Sequence, residues 1–294
     1  MELRQLKYFL KAKELLNFTE AARAVFVTQS TLSQQIKQLE EELGTPLFNR
    51  IGRRITLTEA GTLFASYASK SLRLAEDGRL ALKELDQLQT GEISIGVSFG
   101  LQALFNDVLK VFASKYKDIR IKVIYGAALE LFQKLENLEL DFILAFHETE
   151  ELESLKYEMM FVSPLVFVCN KNSKFADRSS IEVNEIANES LVLASRGYSV
   201  DHIISREFQK YHLMPKFSLE INDIPTVISL VESGEWSTIL VKSSFSNDNL
   251  IAIPINGGNF SRTAKFVTVK DIYEKKAVRT FILLFTDLLS KKRF

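Results

Sequence analysis

Apolar positions over the first sixty residues recur at helical spacing. Leu3, Leu6, Phe9, Leu10 and Leu16 make one stripe, with Arg4, Lys7, Lys11 and Lys13 on the wet side. Ala21, Ala22 and Val25 share a face of a second short segment, which Asn17 or Thr19 is placed to cap. Leu32, Ile36, Leu39 and Leu43 repeat in a third, with Thr28 as its N-cap. Helices this short are unstable alone, so the three must pack together. Gly44 ends the third and Pro46 prevents its resumption. Residues 47–50 and 53–57 then read as two short strands around Ile51 and Gly52, a wing beside a helix–turn–helix.

Thr58 is placed to cap a helix that runs to about Leu88, roughly 45 Å at 1.5 Å per residue. Its residues Ala60, Phe64, Tyr67, Ser71, Leu74, Gly78, Ala81, Leu85 and Leu88 alternate in steps of four and three. That heptad seam has a small middle (Ser71, Gly78, Ala81), which predicts close approach of a second copy. Gly78 inside a helix predicts tight packing or a bend.

After Thr90 and Gly91 the pattern switches to alternating strands and helices. Strands are expected at 93–97, 119–125, 142–146, 165–169, 191–194, 217–221, 237–241 and 265–269. Helices are expected at 101–116, 130–138, from about 201, at 225–233 and at 277–291. Such alternation implies parallel sheets covered by helices, and there are enough units for two subdomains. At 294 residues the whole chain suggests two or three domains.

The polar face of the third helix carries Gln29, Ser30, Thr31, Ser33, Gln34 and Lys37, crowded toward its N-terminal half. Amides and hydroxyls there suit base edges in a DNA major groove, and the lysine suits a phosphate. A plain solvated helix face explains the same residues, so the neighbours decide. Arg50, Arg53 and Arg54 flank the wing, where guanidinium groups reach phosphates or the minor groove. Overall charge is balanced at 37 basic and 37 acidic residues, but residues 1–58 hold nine Lys/Arg against six Asp/Glu. The basic end therefore agrees with the DNA reading. The lone cysteine, Cys169, excludes an intrachain disulfide and, in the apolar run SPLVFVCN, reads as a buried structural thiol. No apolar run approaches bilayer length and the N-terminus shows no signal core, so a cytoplasmic protein is expected.

LRQLKYF, FTEAARAVFVTQSTLSQQIKQLEEELGTPLFNR and GRRITLTEAG together resemble the N-terminal module of LysR-type transcriptional regulators. GEISIGVS and LELDFILA are similar to that family's effector-domain signatures. The resemblance implies an all-α winged helix–turn–helix over 1–58, a linker and dimerisation helix over 59–90, and an α/β effector domain over 91–294. That last domain is expected to resemble periplasmic binding proteins, with subdomain I at 91–162 and 265–294 and subdomain II at 163–264. A small-molecule effector between the subdomains would modulate promoter binding or bending, and no metal or resident cofactor is implied. The implied partners are double-stranded promoter DNA, further copies of the chain in a homodimer or homotetramer, and RNA polymerase.

Matched residue by residue, base contact falls to Gln29, Ser30, Thr31, Ser33 and Gln34, and backbone contact to Lys37, Arg50, Arg53 and Arg54. Gln34 stands where the family often has arginine, which favours adenine readout over guanine. Effector contact falls to Ser98, Phe99 and Gly100 at the first strand-to-helix turn, where backbone N–H groups suit an anion. His147, Tyr198, Ser199, Asn222 and Asp223 are expected to face the same cleft. Leu138 replaces a common glycine, and Trp236 and Val241 replace a usual glycine and proline, so pocket shape is not transferable. Trp236 suits either pocket or hinge.

Two rival classes make different demands. An enzyme needs a reactive constellation, yet His147, His202 and His212 lack metal-ligand spacing, and Gly91, Gly96 and Gly100 match no nucleotide fingerprint. A solute-binding protein has no use for residues 1–58. The expected function is a DNA-binding regulator without catalysis.

Overall fold

In a computed structural model, residues 1–51, 54–84, 91–148, 150–194, 199–215, 217–245 and 247–291 are described. They form two compact units, Met1–Gln87 and Leu88–Phe294.

The first unit contains α1 (Leu3–Leu15), α2 (Phe18–Ala24), α3 (Gln29–Leu43), β1 (Phe48–Ile51), β2 (Arg54–Leu57) and α4 (Glu59–Glu84). Local chemistry sets the boundaries. The Asn17 side chain accepts from Thr19 N and Glu20 N at 2.9 and 3.2 Å and starts α2. Thr28 Oγ1 accepts from Thr31 N at 3.2 Å and starts α3, and Gly44, at φ 69°, ends it. Leu32, Ile36, Leu39, Ala21 and Ala22 close around Phe9, whose ring lies 5.5 Å from both Phe48 and Phe64. The Glu40 carboxylate accepts from Leu47 N and Phe48 N at 2.8 and 3.1 Å, which ties the wing to α3. Thr58 Oγ1 donates to Pro46 O and accepts from Gly61 N, joining the wing to α4. A Cβ on Gly61 would lie 2.1 Å from Leu47 O, so the glycine permits that close approach.

The second unit is built on β3 (Gly91–Ser98), β4 (Ile119–Gly126), β5 (Phe142–Phe146), β6 (Leu155–Asn170), β7 (Ile181–Glu182), β8 (Leu191–Ala194), β9 (Phe217–Ile221), β10 (Thr238–Val241), β11 (Leu250–Asn256) and β12 (Ser261–Val269). Its helices are α5 (Gln102–Lys115), α6 (Ala128–Glu136), α7 (Val183–Ile186), α8 (Ser199–Lys210), α9 (Ile224–Glu232) and α10 (Lys276–Lys291). The main sheet runs β4-β3-β5-β12-β6-β11-β7, with β10 also on β6, while β8 and β9 pair separately.

The sheet is mixed rather than parallel, which corrects the sequence expectation. β3 is parallel to β4 and β5, but β12 is antiparallel to β5 and β6, and β10 and β11 are antiparallel to β6. The cause is a pair of long strands running in opposite directions. β6 pairs with β12 from Leu155 to Pro164, then changes neighbours to β10 and β11 from Leu165 onward. Those strands carry the chain between two halves, with the change of partners between Pro164 and Leu165. Residues 155–164 of β6, all of β7 and β11, and the start of β12 at Ser261 rather than Lys265 escaped the sequence reading. An aromatic cluster packs α5 and α10 on the sheet: Phe281 lies 5.0 Å from Phe112 and 5.6 Å from Phe105 and Phe142. The buried Lys275 ammonium meets Asp141 at 3.0 Å, and Asp141 accepts from Ser94 N at 2.7 Å.

Candidate functional site

Two places bring the anticipated residues together. On α3, Gln29, Ser30, Thr31, Gln34 and Lys37 are exposed and Ser33 is half-buried, while Leu32, Ile36 and Leu39 hold the opposite face in the core. Thr28 Oγ1 lies 2.9 Å from Ser30 Oγ and 2.7 Å from Thr31 Oγ1, so the hydroxyls cluster at the helix start. Lys37 pairs with Glu41 at 3.5 Å on the surface, a weak contact that leaves its charge for other uses. In the wing, Arg50 pairs in register with Ile55, and Arg54 with Ile51. Arg53 lies outside the described residues.

Ahead of these hydroxyls, Phe26 is 95% exposed and sits at φ 58°. Its N–H donates to Arg23 O and that of Val27 to Ala22 O, the paired bonds of a helix ending that normally uses glycine at this position.

The second place is a cavity of about 40 Å³ in the second unit. Ser98, Phe99 and Gly100 line it as anticipated, together with Phe146, Ile224, Ile239 and other apolar residues. Val200, one residue past the start of α8, also lines it, but Tyr198 and the Ser199 side chain lie outside the described residues. His147, Asn222 and Asp223 are absent from the described lining. The His147 ring stacks 5.1 Å from Tyr157 and lies tilted 4.8 Å from Phe132, and burial pushes its pKa below the usual imidazole value. Asp223 caps α9, accepting from Thr226 N at 2.9 Å and Thr226 Oγ1 at 2.5 Å; those bonds lower its carboxyl pKa. Its neighbour Ile224 reaches the cavity instead.

Most of the apolar wall was not foreseen from sequence, and neither was its one charged residue among the described lining. Arg262 is 1% exposed, and its Nε donates to Glu148 Oε1 at 2.6 Å. Its guanidinium carbon stands 4.9 Å from the Phe146 ring centroid. The signal was present in alternation: Phe260, Arg262, Ala264 and Phe266 point inward together, although one of them is charged. Trp236 packs with the cluster of Val227, Val231 and Leu240, behind the wall that Leu240 gives to the cavity, and is not itself among the described lining. Cys169 is fully buried, and burial pushes its thiol pKa up, as expected of a structural thiol.

Comparison with known proteins now bears on both places. The family model "Bacterial regulatory helix-turn-helix protein, lysR family" matches residues 3–62, and "LysR substrate binding domain" matches residues 86–290. The chain belongs to the LysR family of transcriptional regulators. LysR relatives include the uncharacterized HTH-type transcriptional regulator YwqM of Bacillus subtilis, 30% identical over 84% of this chain and 85% of that protein. The Hca operon transcriptional activator HcaR of Escherichia coli is 28% identical over 99% of both chains. Among solved structures, a full-length OxyR variant from Pseudomonas aeruginosa superposes with TM-score 0.76 at 20% identity, covering 98% of this chain and 94% of that one. Full-length CbnR complexed with its target DNA gives 0.68 at 20% identity, covering 98% and 99%. These likenesses establish the LysR fold, a helix–turn–helix unit followed by a two-part α/β domain. The chain is accordingly a LysR-type transcriptional regulator and not an enzyme. Among the described residues, no helix is long and apolar enough to cross a membrane.

Proposed function

We propose that the regulator divides its work as 1–58 for DNA, 59–90 for self-association and 91–294 for an effector. The observation that carries this is the coexistence of an exposed hydroxyl-and-amide helix face with a largely apolar internal cavity whose walls come from both halves of the second unit. Gln29, Ser30, Thr31, Ser33 and Gln34 read base edges, and Lys37, Arg50, Arg53 and Arg54 hold phosphates or enter the minor groove. Two copies associate through α4 and present paired recognition helices to half-sites about one helical turn apart. CbnR has been crystallised with its target DNA, and the shared fold supports DNA binding by this chain. A small effector in the cavity, contacted by Ser98, Phe99 and Gly100, changes promoter binding or bending, and RNA polymerase reads the outcome.

The test is selection of bound genomic fragments at a fixed salt concentration, followed by footprinting of wild type and Gln34→Ala. A two-fold symmetric protected site whose base preference changes in the variant is expected. Equal loss on every sequence would remove Gln34 from direct readout, and unpatterned binding would overturn the specific-operator reading.

A further inference from the structure

Four helix starts meet at the cavity. Phe99 and Gly100 lie in the 3-10 turn that leads into α5, Ala127 and Ala128 open α6, Val200 is near the start of α8, and Ile224 begins α9. Helix N-termini direct N–H groups and partial positive charge at the same space. Two side chains add to that field. Ser98 is 8% exposed, lines the cavity, and its Oγ has no hydrogen-bond partner among the described residues. A hydroxyl buried in that way is stabilised only by a ligand or water that pairs with it. Arg262 lines the same cavity with a permanent positive charge, part of which is already engaged by Glu148 at 2.6 Å. The remaining wall is apolar apart from Ser244, whose Oγ is already bonded to Val241 O, and no acidic residue is among the described lining. A ligand ammonium therefore meets no counter-charge there, and a polyol meets too few polar groups.

We infer that the cavity takes a small carboxylic acid with an apolar body and no amino group, its carboxylate shared by Arg262 and Ser98. The inference rests on the effector-cavity reading above and names the ligand class for it. Bidentate recognition by a guanidinium is what distinguishes a carboxylate from its amide. Arg262 also has a place that couples binding to the frame. It pairs in register with Ser163 on the two strands that carry the chain between halves. Its partner Glu148 holds Thr263 N at 3.1 Å through the same oxygen that meets Arg262. An arriving carboxylate shares the cation with Glu148, loosening the tie between the end of β5 and the start of β12.

The experiment is calorimetric titration of the full-length protein with acetate and propionate, acids small enough for the cavity, with their amides, and with alanine, accompanied by hydrogen exchange. The acids are expected to bind, with protection around residues 98–100 and 262, and the amides and alanine at least about tenfold more weakly. Arg262→Lys keeps the charge and loses the fork, and should weaken acid binding about tenfold. Ser98→Ala removes an unpaired buried hydroxyl, so it should fold at least as stably as wild type while binding the acids more weakly. Amides or alanine binding as well as the acids, with exchange protection at the cavity, would overturn the carboxylate class and leave the effector cavity standing. Absence of binding and protection with every probe would overturn the effector-cavity reading itself, and the carboxylate class with it. Undiminished acid binding in both variants would remove Arg262 and Ser98 from recognition.

Discussion

Residue by residue, the conformation most at odds with its side chain is at Phe26. A left-handed φ disfavours any residue with a Cβ, and an exposed ring recovers no burial in return. Phe26→Gly should therefore raise stability by about 0.5–1 kcal/mol in denaturant melts. It should also weaken operator binding, because Phe26 is exposed two residues before Thr28, which starts α3. A variant of raised stability and unchanged affinity would place Phe26 off the DNA face. The same helix ending recurs at Leu138, where φ is 59° and the family commonly has glycine, but there the side chain is buried and gains packing. Glu207 gives a pH-dependent case. Burial alone would raise its pKa, yet hydrogen bonds from Lys210, Arg206 and Asn259 N outweigh this and hold it low. A lowered folded pKa contributes stability above the ordinary carboxyl range, lost as pH falls through the folded value. Stability measured from pH 7 down to 3 should thus decline less steeply in Glu207→Gln than in wild type; parallel curves would show that Glu207 contributes nothing to acid sensitivity.

At the scale of elements, α4 shows how one helix serves two surfaces. Ala65 and Ala68 are buried, and Leu72 packs on the helix–turn–helix core together with Phe64, which corrects the expectation that Phe64 belongs to the seam. Beyond them Tyr67 and Leu74 stand 61% and 51% exposed, on the seam that the heptad pattern marks for a second copy. Gly78 meets no atom within 4 Å where a Cβ would project, which leaves room for close approach. Leu74→Glu puts a charge into that seam and should shift the protein to monomer in light scattering at micromolar concentration. An unchanged oligomer would move the interface elsewhere. The periods of 3.6 and 3.5 residues were legible here because each helix has one apolar side. In β6, the run KYEMMFVS lacks a clean alternation, since part of the strand is exposed on both faces, and its length was hidden for that reason.

For the molecule as a whole, the two compact units lead to a separable-fragment prediction. The second unit has its own core, with Phe105, Phe142, Phe281 and Phe285 fully buried. A fragment of residues 91–294 should unfold cooperatively and keep the ligand response of the full chain, without binding DNA. Loss of cooperative unfolding in the fragment would show that the first unit is needed for the second to fold.

The helix–turn–helix, its caps and the Ser98–Gly100 turn were readable from residue order alone, because caps, stripes and strand-to-helix turns are local and repeat within a few positions. The direction of β12, and the meeting of Arg262 with Ser98 from positions 164 residues apart, were not. Strand pairing is a long-range choice, made by which neighbours complete the hydrogen bonds of β6 and bury its faces. An inward-facing charge looks like an error in an apolar stripe until the fold supplies Glu148 and Phe146 as its company. His147 and Asp223 show the reverse: chemically suitable side chains whose partners, an aromatic stack and a helix start, turn them to structural use.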